Sequence, residues 1–336
     1  MSPELLVLLL TTRCNLACKY CYLACGQEGE DMPWEVFRAV LARLRITPRE
    51  VILSGGEPTL VPDLLRRIVK ALRERFPRLR LSLQTNGTLL EPKLIEFLQA
   101  FRVGLGVSLD GPPEINEALR GGTGAVVKGL RLLADQGLAC GVTVTVTWAN
   151  ARRLGETVLF LGQFSAVASF GLDILRPVGR GQREDLPPKA DLRVGLIRAQ
   201  EALFWLAVHG RALVFREAQR RKEKGSYCPA QRGTALVITP NGDAYPCASL
   251  VGQERFFMGN IGNGELLPKK LPDPCGTCIF RETCPGRCPS RALLSPEAAS
   301  LDCLVREALG FHKRTSSKRF ERYVSGPKID GALSWS

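Results

Sequence analysis

The feature that most constrains the fold is a regular alternation of apolar runs and amphipathic helical stretches between residues 4 and 176. Segments with helical spacing of apolar residues, such as 34–44 and 62–76, separate the runs. This alternation is typical of βαβ units, whose right-handed crossovers curl a parallel sheet. Six units are two fewer than a closed eight-stranded barrel has, so the pattern predicts an α/β fold with a partial (βα)6 TIM-like barrel. The six runs that read as buried strands are 4–10, 51–55, 79–85, 103–109, 140–148 and 170–176.

Polar or glycine-rich segments follow the first four of these runs. Cys14 comes after the first run, SGGEPT (54–59) after the second, QTNG (84–87) after the third and SLDG (108–111) after the fourth. In barrels of this kind, the loops at the carboxyl ends of the strands form the working surface. The sequence therefore predicts a functional site at that rim.

Three cysteines, Cys14, Cys18 and Cys21, stand at this rim in a C-x3-C-x2-C arrangement. Thiolates are preferred ligands of zinc and of iron–sulfur clusters. A structural zinc ion or an ordinary four-iron cluster uses four protein ligands, so three close cysteines leave one metal position open. Cys25 offers a fourth thiol in the alternative of a closed electron-transfer cluster. The spacing alone leaves both interpretations open.

The second half of the chain differs in composition and in its pattern of apolar residues. A predicted helical segment at 188–209 precedes residues 225–304, which are rich in Gly, Pro and Cys and include a predicted β-hairpin at 235–247 turning at Asn241–Gly242. With so little apolar periodicity, this region needs bound metal to hold its fold. Its C-x2-C spacing also fits one or two zinc ribbons. The seven cysteines are Cys228, Cys247, Cys275, Cys278, Cys284, Cys288 and Cys303.

These differences divide the chain into four parts. We expect the barrel at 1–187, a helical linker at 188–227, a small cysteine-rich α+β domain at 228–310 and a basic tail at 311–336. Cys140 opens the fifth strand and is expected to be buried and inert.

The N-terminal motif resembles that of the radical S-adenosylmethionine (SAM) superfamily, in which an aromatic residue, here Tyr20, precedes the last cysteine. The resemblance implies a 4Fe–4S cluster on Cys14, Cys18 and Cys21, with SAM on the open iron. It also implies an oxidoreductase that cleaves SAM reductively to methionine and a 5′-deoxyadenosyl radical. SGGEP (54–58) matches the GGE motif of the family, although a glycine turn after a strand would also explain it. The residues that the resemblance puts around SAM are Tyr20, Gly55, Gly56, Glu57, Gln84, Thr85, Asn86, Ser108, Asp110, Arg120 and Arg176.

The C-terminal cysteines resemble those of the SPASM domain of radical SAM enzymes, which carries two auxiliary 4Fe–4S clusters. MGNI (258–261) adds to this resemblance, which covers about residues 5–305 and implies three clusters in all. The inner auxiliary cluster would lack one cysteine ligand, so we predict an open or non-cysteine-ligated iron there. The implied ligands are Cys275, Cys278, Cys284 and Cys303 for the outer cluster, and Cys228, Cys247 and Cys288 for the inner one.

The charge balance, 46 basic against 33 acidic residues, gives a net charge of +13. Basic residues cluster only at 220–225 and 311–324, without an interleaved aromatic binding pattern, so nucleic acid is a disfavoured partner. A basic face would suit an acidic electron donor such as ferredoxin or flavodoxin. The apolar run at 5–10 is too short for a membrane span or a signal peptide, and twelve cysteines suggest metal ligation in a reducing compartment. We therefore expect a cytoplasmic protein.

The substrate is the least constrained part of the prediction. The resemblance implies oxidative modification of a peptide or protein, and no leader-binding segment precedes the first strand, so we expect a separate recognition protein or no leader. Ala248 replaces the Asp typical of the sulfatase-maturing branch, which counts against maturation of a partner enzyme. LRPVGRG (175–181) resembles a segment of the branch that acts on tetrapyrroles in the haem b and haem d1 routes, so a tetrapyrrole or another small metabolite is the alternative. A non-catalytic electron relay is a further alternative.

Overall fold

The computed structural model describes residues 2–219 and 228–312. The basic segment 220–225, the end of the expected linker at 220–227 and nearly all of the expected tail, 313–336, lie outside the described residues. No helix in the described ranges has both the length and the apolar character needed to cross a membrane.

Six parallel strands, β1 to β6, form the barrel, which confirms the predicted fold class. Neighbouring strands pair in chain order, for example Leu5 of β1 opposite Glu50 of β2. The strands β1 and β6 lie at opposite ends of this series, so the barrel is open. The strands are β1 Leu5–Leu9, β2 Glu50–Ser54, β3 Arg80–Thr85, β4 Val103–Ser108, β5 Cys140–Val146 and β6 Val167–Ile174.

Helices connect the strands and cover the outer face of the sheet. Their apolar residues, such as Phe37 and Ile68, pack with outward-facing strand residues such as Leu53 in one continuous core. The helices of this half are α1 Trp34–Arg43, α2 Pro62–Arg75, α3 Pro92–Ala100, α4 Pro113–Leu119, α5 Thr123–Asp135, α6 Leu154–Gly162 and α7 Lys189–Val208.

On the inner face of the sheet, β4 carries small residues. In β4, Leu105 and Val107 belong to the core with the helices, whereas Gly106 faces the Gln84 side chain of β3. Closed barrels usually fill this space with bulky branched side chains. In β4 the positions that face away from the helices are Gly104, Gly106 and Ser108 instead.

Within the described residues, three further strands extend the sheet of six to nine. β7 Val214–Phe215 extends it beyond β6, and the hairpin formed by β8 Ala235–Ile238 and β9 Ala244–Tyr245 extends it beyond β1. β8 runs parallel to β1, and the hairpin turns at Asn241–Gly242 as predicted. The start of the cysteine-rich region is therefore hydrogen-bonded to the first barrel strand, which the sequence analysis did not foresee.

The rest of the cysteine-rich region consists of short helices and long loops. Its last helix lies against α7, where Gln200 donates to the Ala308 carbonyl at 2.9 Å and Arg193 pairs with Glu307 at 3.3 Å. The remaining helices are α8 Arg216–Gln219, α9 Pro229–Arg232, α10 Pro289–Leu294 and α11 Pro296–Ala308.

Candidate active site and cysteine-rich centres

The loop after β1 brings Cys14, Cys18 and Cys21 together beside the opening of the barrel. Cys14 and Cys18 expose only 9% and 8% of their surface. Burial is the main cause that raises the pKa of both thiols, and each of them also interacts electrostatically with Cys21. A bound metal stabilises the thiolate form of such buried cysteines, because it binds the deprotonated sulfur.

Cys25 lies next to this group. It is almost fully buried, and its thiol shares a hydrogen bond with Cys21. This contact lowers the pKa of Cys21 below its usual value and raises that of Cys25. The structure therefore makes Cys25 a neighbour of the three-cysteine group.

Nitrogen donors point at the sulfur of Cys14. The backbone N–H of Leu16 lies 3.4 Å from Cys14 Sγ, and Nδ2 of Asn86 lies 3.9 Å from it. Hydrogen bonds to sulfur are typical of iron–sulfur ligands, because they stabilise charge on the thiolate. A buried, all-sulfur donor set with N–H···S contacts fits an iron–sulfur cluster.

The two glycines of the GGE motif let the β2 loop lie against the backbone that leads into Cys14. The Gly56 N–H donates to the Thr11 carbonyl, and the Glu57 N–H donates to the Arg13 carbonyl, both at 2.8 Å. A Cβ atom at Gly56 would lie 2.0 Å from the Arg13 oxygen. These glycines therefore fix the position of the cysteine loop, whatever further contact they make with a ligand.

Glu57 is fully buried and ties β2 to β3. Its Oε1 accepts from the Thr59 and Thr85 hydroxyls at 2.6 and 2.7 Å, and its Oε2 accepts from the Asn86 N–H at 2.6 Å. Burial raises the pKa of the carboxyl, and the hydrogen bonds that it accepts oppose that rise. Three residues predicted to line the SAM pocket, Glu57, Thr85 and Asn86, thus form one hydrogen-bonded unit.

Three other predicted residues form a second unit. The Tyr20 hydroxyl donates to Asp110, and Arg120 donates to the same hydroxyl at 2.7 Å. The other oxygen of Asp110 accepts from the Thr145 N–H at 2.8 Å. Asp110 has no exposed surface, and its burial raises the pKa of the carboxyl. This unit joins the cysteine loop to the ends of β4 and β5, while Ser108 is half-buried at the end of β4.

Cys228, Cys247 and Cys288 form a group at the barrel side of the cysteine-rich region. Burial raises the pKa of Cys228 to about 11, with further contributions from Cys288 and Cys247. Two buried hydroxyls connect the other two thiols: Ser249 Oγ lies 3.3 Å from Cys247 Sγ, and Ser290 Oγ lies 3.2 Å from Cys288 Sγ. The two hydroxyls are 3.0 Å apart and so join segments that are far apart in sequence.

Arg176 points at this group. It pairs with Asp173 at 2.6 Å, and its Nη2 lies 3.8 Å from Cys288 Sγ. Arg291, also buried, pairs with the other oxygen of Asp173 at 2.6 Å. Burial disfavours the Cys288 thiolate, but the two guanidinium groups outweigh it and lower the pKa of that thiol. The described contacts of Arg176 therefore run to the auxiliary cysteines.

Three of the remaining C-terminal cysteines, Cys275, Cys278 and Cys303, lie near the Arg287 guanidinium and contribute to raising its pKa. The fourth, Cys284, lies near Arg306 and interacts with Cys275 and Cys278. Burial raises the pKa of Cys303 to about 11, and Cys275 and Cys284 contribute to the rise. The allocation of these seven cysteines to an inner and an outer ligand set stays a prediction. Cys140 is buried in β5, away from all three groups.

No three His, Cys, Asp or Glu side chains within 2–219 and 228–312 surround a single point closely enough to hold one metal ion.

Comparison with known proteins identifies the barrel. The sequence model of the radical SAM superfamily matches residues 8–161, which include the cysteine loop, the GGE motif and the Tyr20–Asp110–Arg120 unit. Residues 8–161 are therefore similar to radical SAM proteins. Proteins of that superfamily use SAM and a 4Fe–4S cluster as cofactors.

Several similar proteins match almost the whole length of this chain. The mycofactocin maturase MftC of Mycobacterium tuberculosis is 28% identical over 98% of this chain and 88% of its own length. The AdoMet-dependent heme synthase of Methanosarcina barkeri is 29% identical over 91% of this chain and 95% of its own. A solved structure of anSMEcpe with bound AdoMet and Kp18Cys peptide has the same fold, with a TM-score of 0.72, 20% identity and coverage of 91% and 95% of the two chains.

Several residues of these centres were missed in the sequence. Ser249 and Ser290 each follow a cysteine at the second position, and this C-x-S spacing is a signal that could have found them. Arg180 lies in LRPVGRG, and only the structure brings its side chain to the radical SAM loop. Arg291 carries no local signal, because its partners are distant in sequence.

Proposed function

We propose that Cys14, Cys18 and Cys21 hold a 4Fe–4S cluster whose open iron binds SAM, and that the enzyme oxidatively modifies a peptide. The observation that carries this proposal is the three-thiol loop after β1, in which Cys14 and Cys18 are buried. Thiol chemistry, N–H···S donors and the radical SAM match all support it.

The bound cluster would supply one electron to SAM, whose S–C5′ bond breaks to give methionine and a 5′-deoxyadenosyl radical that takes hydrogen from the substrate. The protein's own part is binding, orientation and exclusion of water. The Tyr20–Asp110–Arg120 and Glu57–Thr85–Asn86 units would hold the loop and the pocket edge in one arrangement. Their full hydrogen bonding favours a rigid site.

The region 228–310 is proposed to be a SPASM domain with two further 4Fe–4S clusters. Cys275, Cys278, Cys284 and Cys303 would hold the outer one. The inner one would rest on Cys228, Cys247 and Cys288, with an open or non-cysteine-ligated iron that can contact substrate. An inner cluster near the barrel opening is suited to accept the electron that a net oxidation releases.

A peptide is the substrate that the relatives favour. One relative is a mycofactocin maturase, and a structure of the same fold has bound AdoMet and a bound peptide. Tetrapyrrole oxidation is the second candidate, because the heme synthase relative matches almost the full chain. An acidic ferredoxin or flavodoxin as reductant, and a cytoplasmic location, complete the proposal; the basic net charge and the twelve free thiols support them.

The test uses anaerobically reconstituted, dithionite-reduced protein with SAM. We expect 5′-deoxyadenosine and methionine in equal amounts, whereas an electron relay would release neither. Short peptides encoded beside the gene and carboxylated tetrapyrroles are then added in parallel, and their masses are measured. A loss of hydrogen from a peptide supports the first candidate, and oxidation of a tetrapyrrole alone would contradict it.

A further inference from the structure

The loop after β6, residues 175–181, lies against the cysteine loop that follows β1. Arg180 reaches the cysteine loop with three donors: its Nε lies 2.9 Å from the Cys18 carbonyl, its Nη1 lies 2.8 Å from the Cys25 carbonyl, and its backbone N–H lies 3.0 Å from the Cys21 carbonyl. One residue, more than 150 positions away in sequence, therefore binds segment 18–25 at both ends and in the middle.

Gly179 makes this contact possible. Its φ is +67°, and a Cβ atom there would lie 2.4 Å from the Cys21 carbonyl oxygen and 2.6 Å from that of Tyr22. A backbone this close to the cysteine loop requires glycine, because any side chain would meet main-chain atoms that cannot move aside.

The guanidinium suits this position for two reasons. Its planar fork can bond two carbonyls at once, which a lysine ammonium or a glutamine amide cannot do with the same geometry. Its fixed positive charge also interacts with Cys21 and Cys25. A cation beside thiolate ligands stabilises the more negative, reduced form of an iron–sulfur cluster.

We propose that Arg180 is a positioning residue. It holds the two ends of segment 18–25 together by hydrogen bonds and raises the reduction potential of the N-terminal cluster. Two of the three proposed ligands, Cys18 and Cys21, lie inside this segment. Closing that segment before the cluster binds lowers the entropic cost of ordering the ligands. The proposal rests on the assignment of Cys14, Cys18 and Cys21 under the proposed function.

The test compares R180K and R180Q with wild-type holoprotein and with R183Q. Arg183 is an exposed residue of the same connection, and R183Q makes the same change of net charge. The part of the EPR spectrum that changes when SAM is added reports the N-terminal cluster. Two quantities are measured on this signal: the rate at which it is lost in the presence of a chelator, and the midpoint potential of the cluster. The signals of the auxiliary clusters serve as the folding control.

We expect both R180K and R180Q to lose the SAM-responsive signal about tenfold faster than wild type, because neither can form the two-carbonyl fork. R180K keeps the wild-type potential, and R180Q shifts it to a more negative value. If R180Q retains no N-terminal cluster while its auxiliary signals are intact, the positioning role is also supported. Signal loss and potential in R180Q equal to those of R183Q would overturn the proposal.

The controls separate this inference from the proposed function. A wild-type protein without any SAM-responsive signal would contradict the cluster assignment itself. A wild-type signal that is unchanged in both Arg180 variants would contradict only the role of Arg180.

Discussion

The N-terminal and the outer C-terminal cysteine groups are held in different ways. The loop of Cys14, Cys18 and Cys21 is hydrogen-bonded to the ends of β1, β2, β4 and β6 through backbone and buried side chains. Three of the four outer cysteines, Cys275, Cys278 and Cys284, lie within residues 271–288, which contain no helix or strand, and Ile279 there is 74% exposed. The fourth, Cys303, lies on α11. The barrel fixes the geometry at the first site, whereas we expect the second to depend on its proposed cluster for order.

The inner auxiliary group is intermediate between the two. Its cysteines lie on loops, but the Ser249–Ser290 contact and the Asp173–Arg291 ion pair connect those loops to each other and to β6. The loop at 175–181 reaches both this group, through Arg176, and the radical SAM loop, through Arg180.

The largest effect should come from the cysteines themselves. We expect C21A to reduce 5′-deoxyadenosine formation to background while the auxiliary clusters are retained, because only the N-terminal ligand set is broken. C140A is the matched control, since Cys140 is a buried cysteine outside all three groups. Product analysis and iron content per chain check this, and a C21A protein that still cleaves SAM would contradict the assignment.

Removing the metal should sharpen the contrast between the two regions. In protein stripped of iron by a chelator, we expect residues 271–288 to lose protection against amide hydrogen exchange, while β1 to β6 keep theirs. Equal loss of protection in the two regions would break the comparison, because the barrel would then also need metal for its order.

A smaller effect is expected at Gly56. G56A forces a Cβ to within 2.0 Å of the Arg13 oxygen, so we expect a loss of about 2–3 kcal/mol in the free energy of unfolding, measured with urea. G124A is the control, because a Cβ at Gly124 in α5 meets nothing within 4 Å and alanine favours helix. If G56A were as stable as G124A, the glycine would be needed only for a ligand.

The smallest effect should be seen at Ser290. S290A removes a hydroxyl that lies 3.2 Å from Cys288 Sγ, so we expect a more negative midpoint potential of the inner cluster and a loss of about 1 kcal/mol in stability. S300A, in which only an exposed contact with the Glu297 carbonyl is lost, is the control. A potential that is the same in both variants would show that the hydroxyl does not contact the cluster.

The sequence predicted the barrel well because each strand is a local pattern. Runs such as 103–109 and the helical spacing between them are visible within about ten residues, and the hairpin at Asn241–Gly242 has a local turn signal. The pairing of β8 with β1 was not predictable in this way, because it joins residues more than 200 positions apart.

The same distinction holds for the site. The cysteine spacing and the GGE segment are local, so the sequence shows them directly. The contacts of Arg180 with Cys18 and Cys25, and of Arg291 with Asp173, depend on how the partial barrel brings distant loops together. Such contacts leave no periodicity or spacing in the sequence.

The most direct test of the account is the EPR spectrum of the reduced, anaerobically reconstituted holoprotein before and after addition of SAM, with metal analysis of the same sample. We predict iron and sulfide sufficient for more than one cluster, and a change on SAM addition that C21A abolishes. Zinc in place of iron, or a wild-type spectrum that SAM leaves unaltered, would contradict the central claim that the loop after β1 holds a cluster with one open iron.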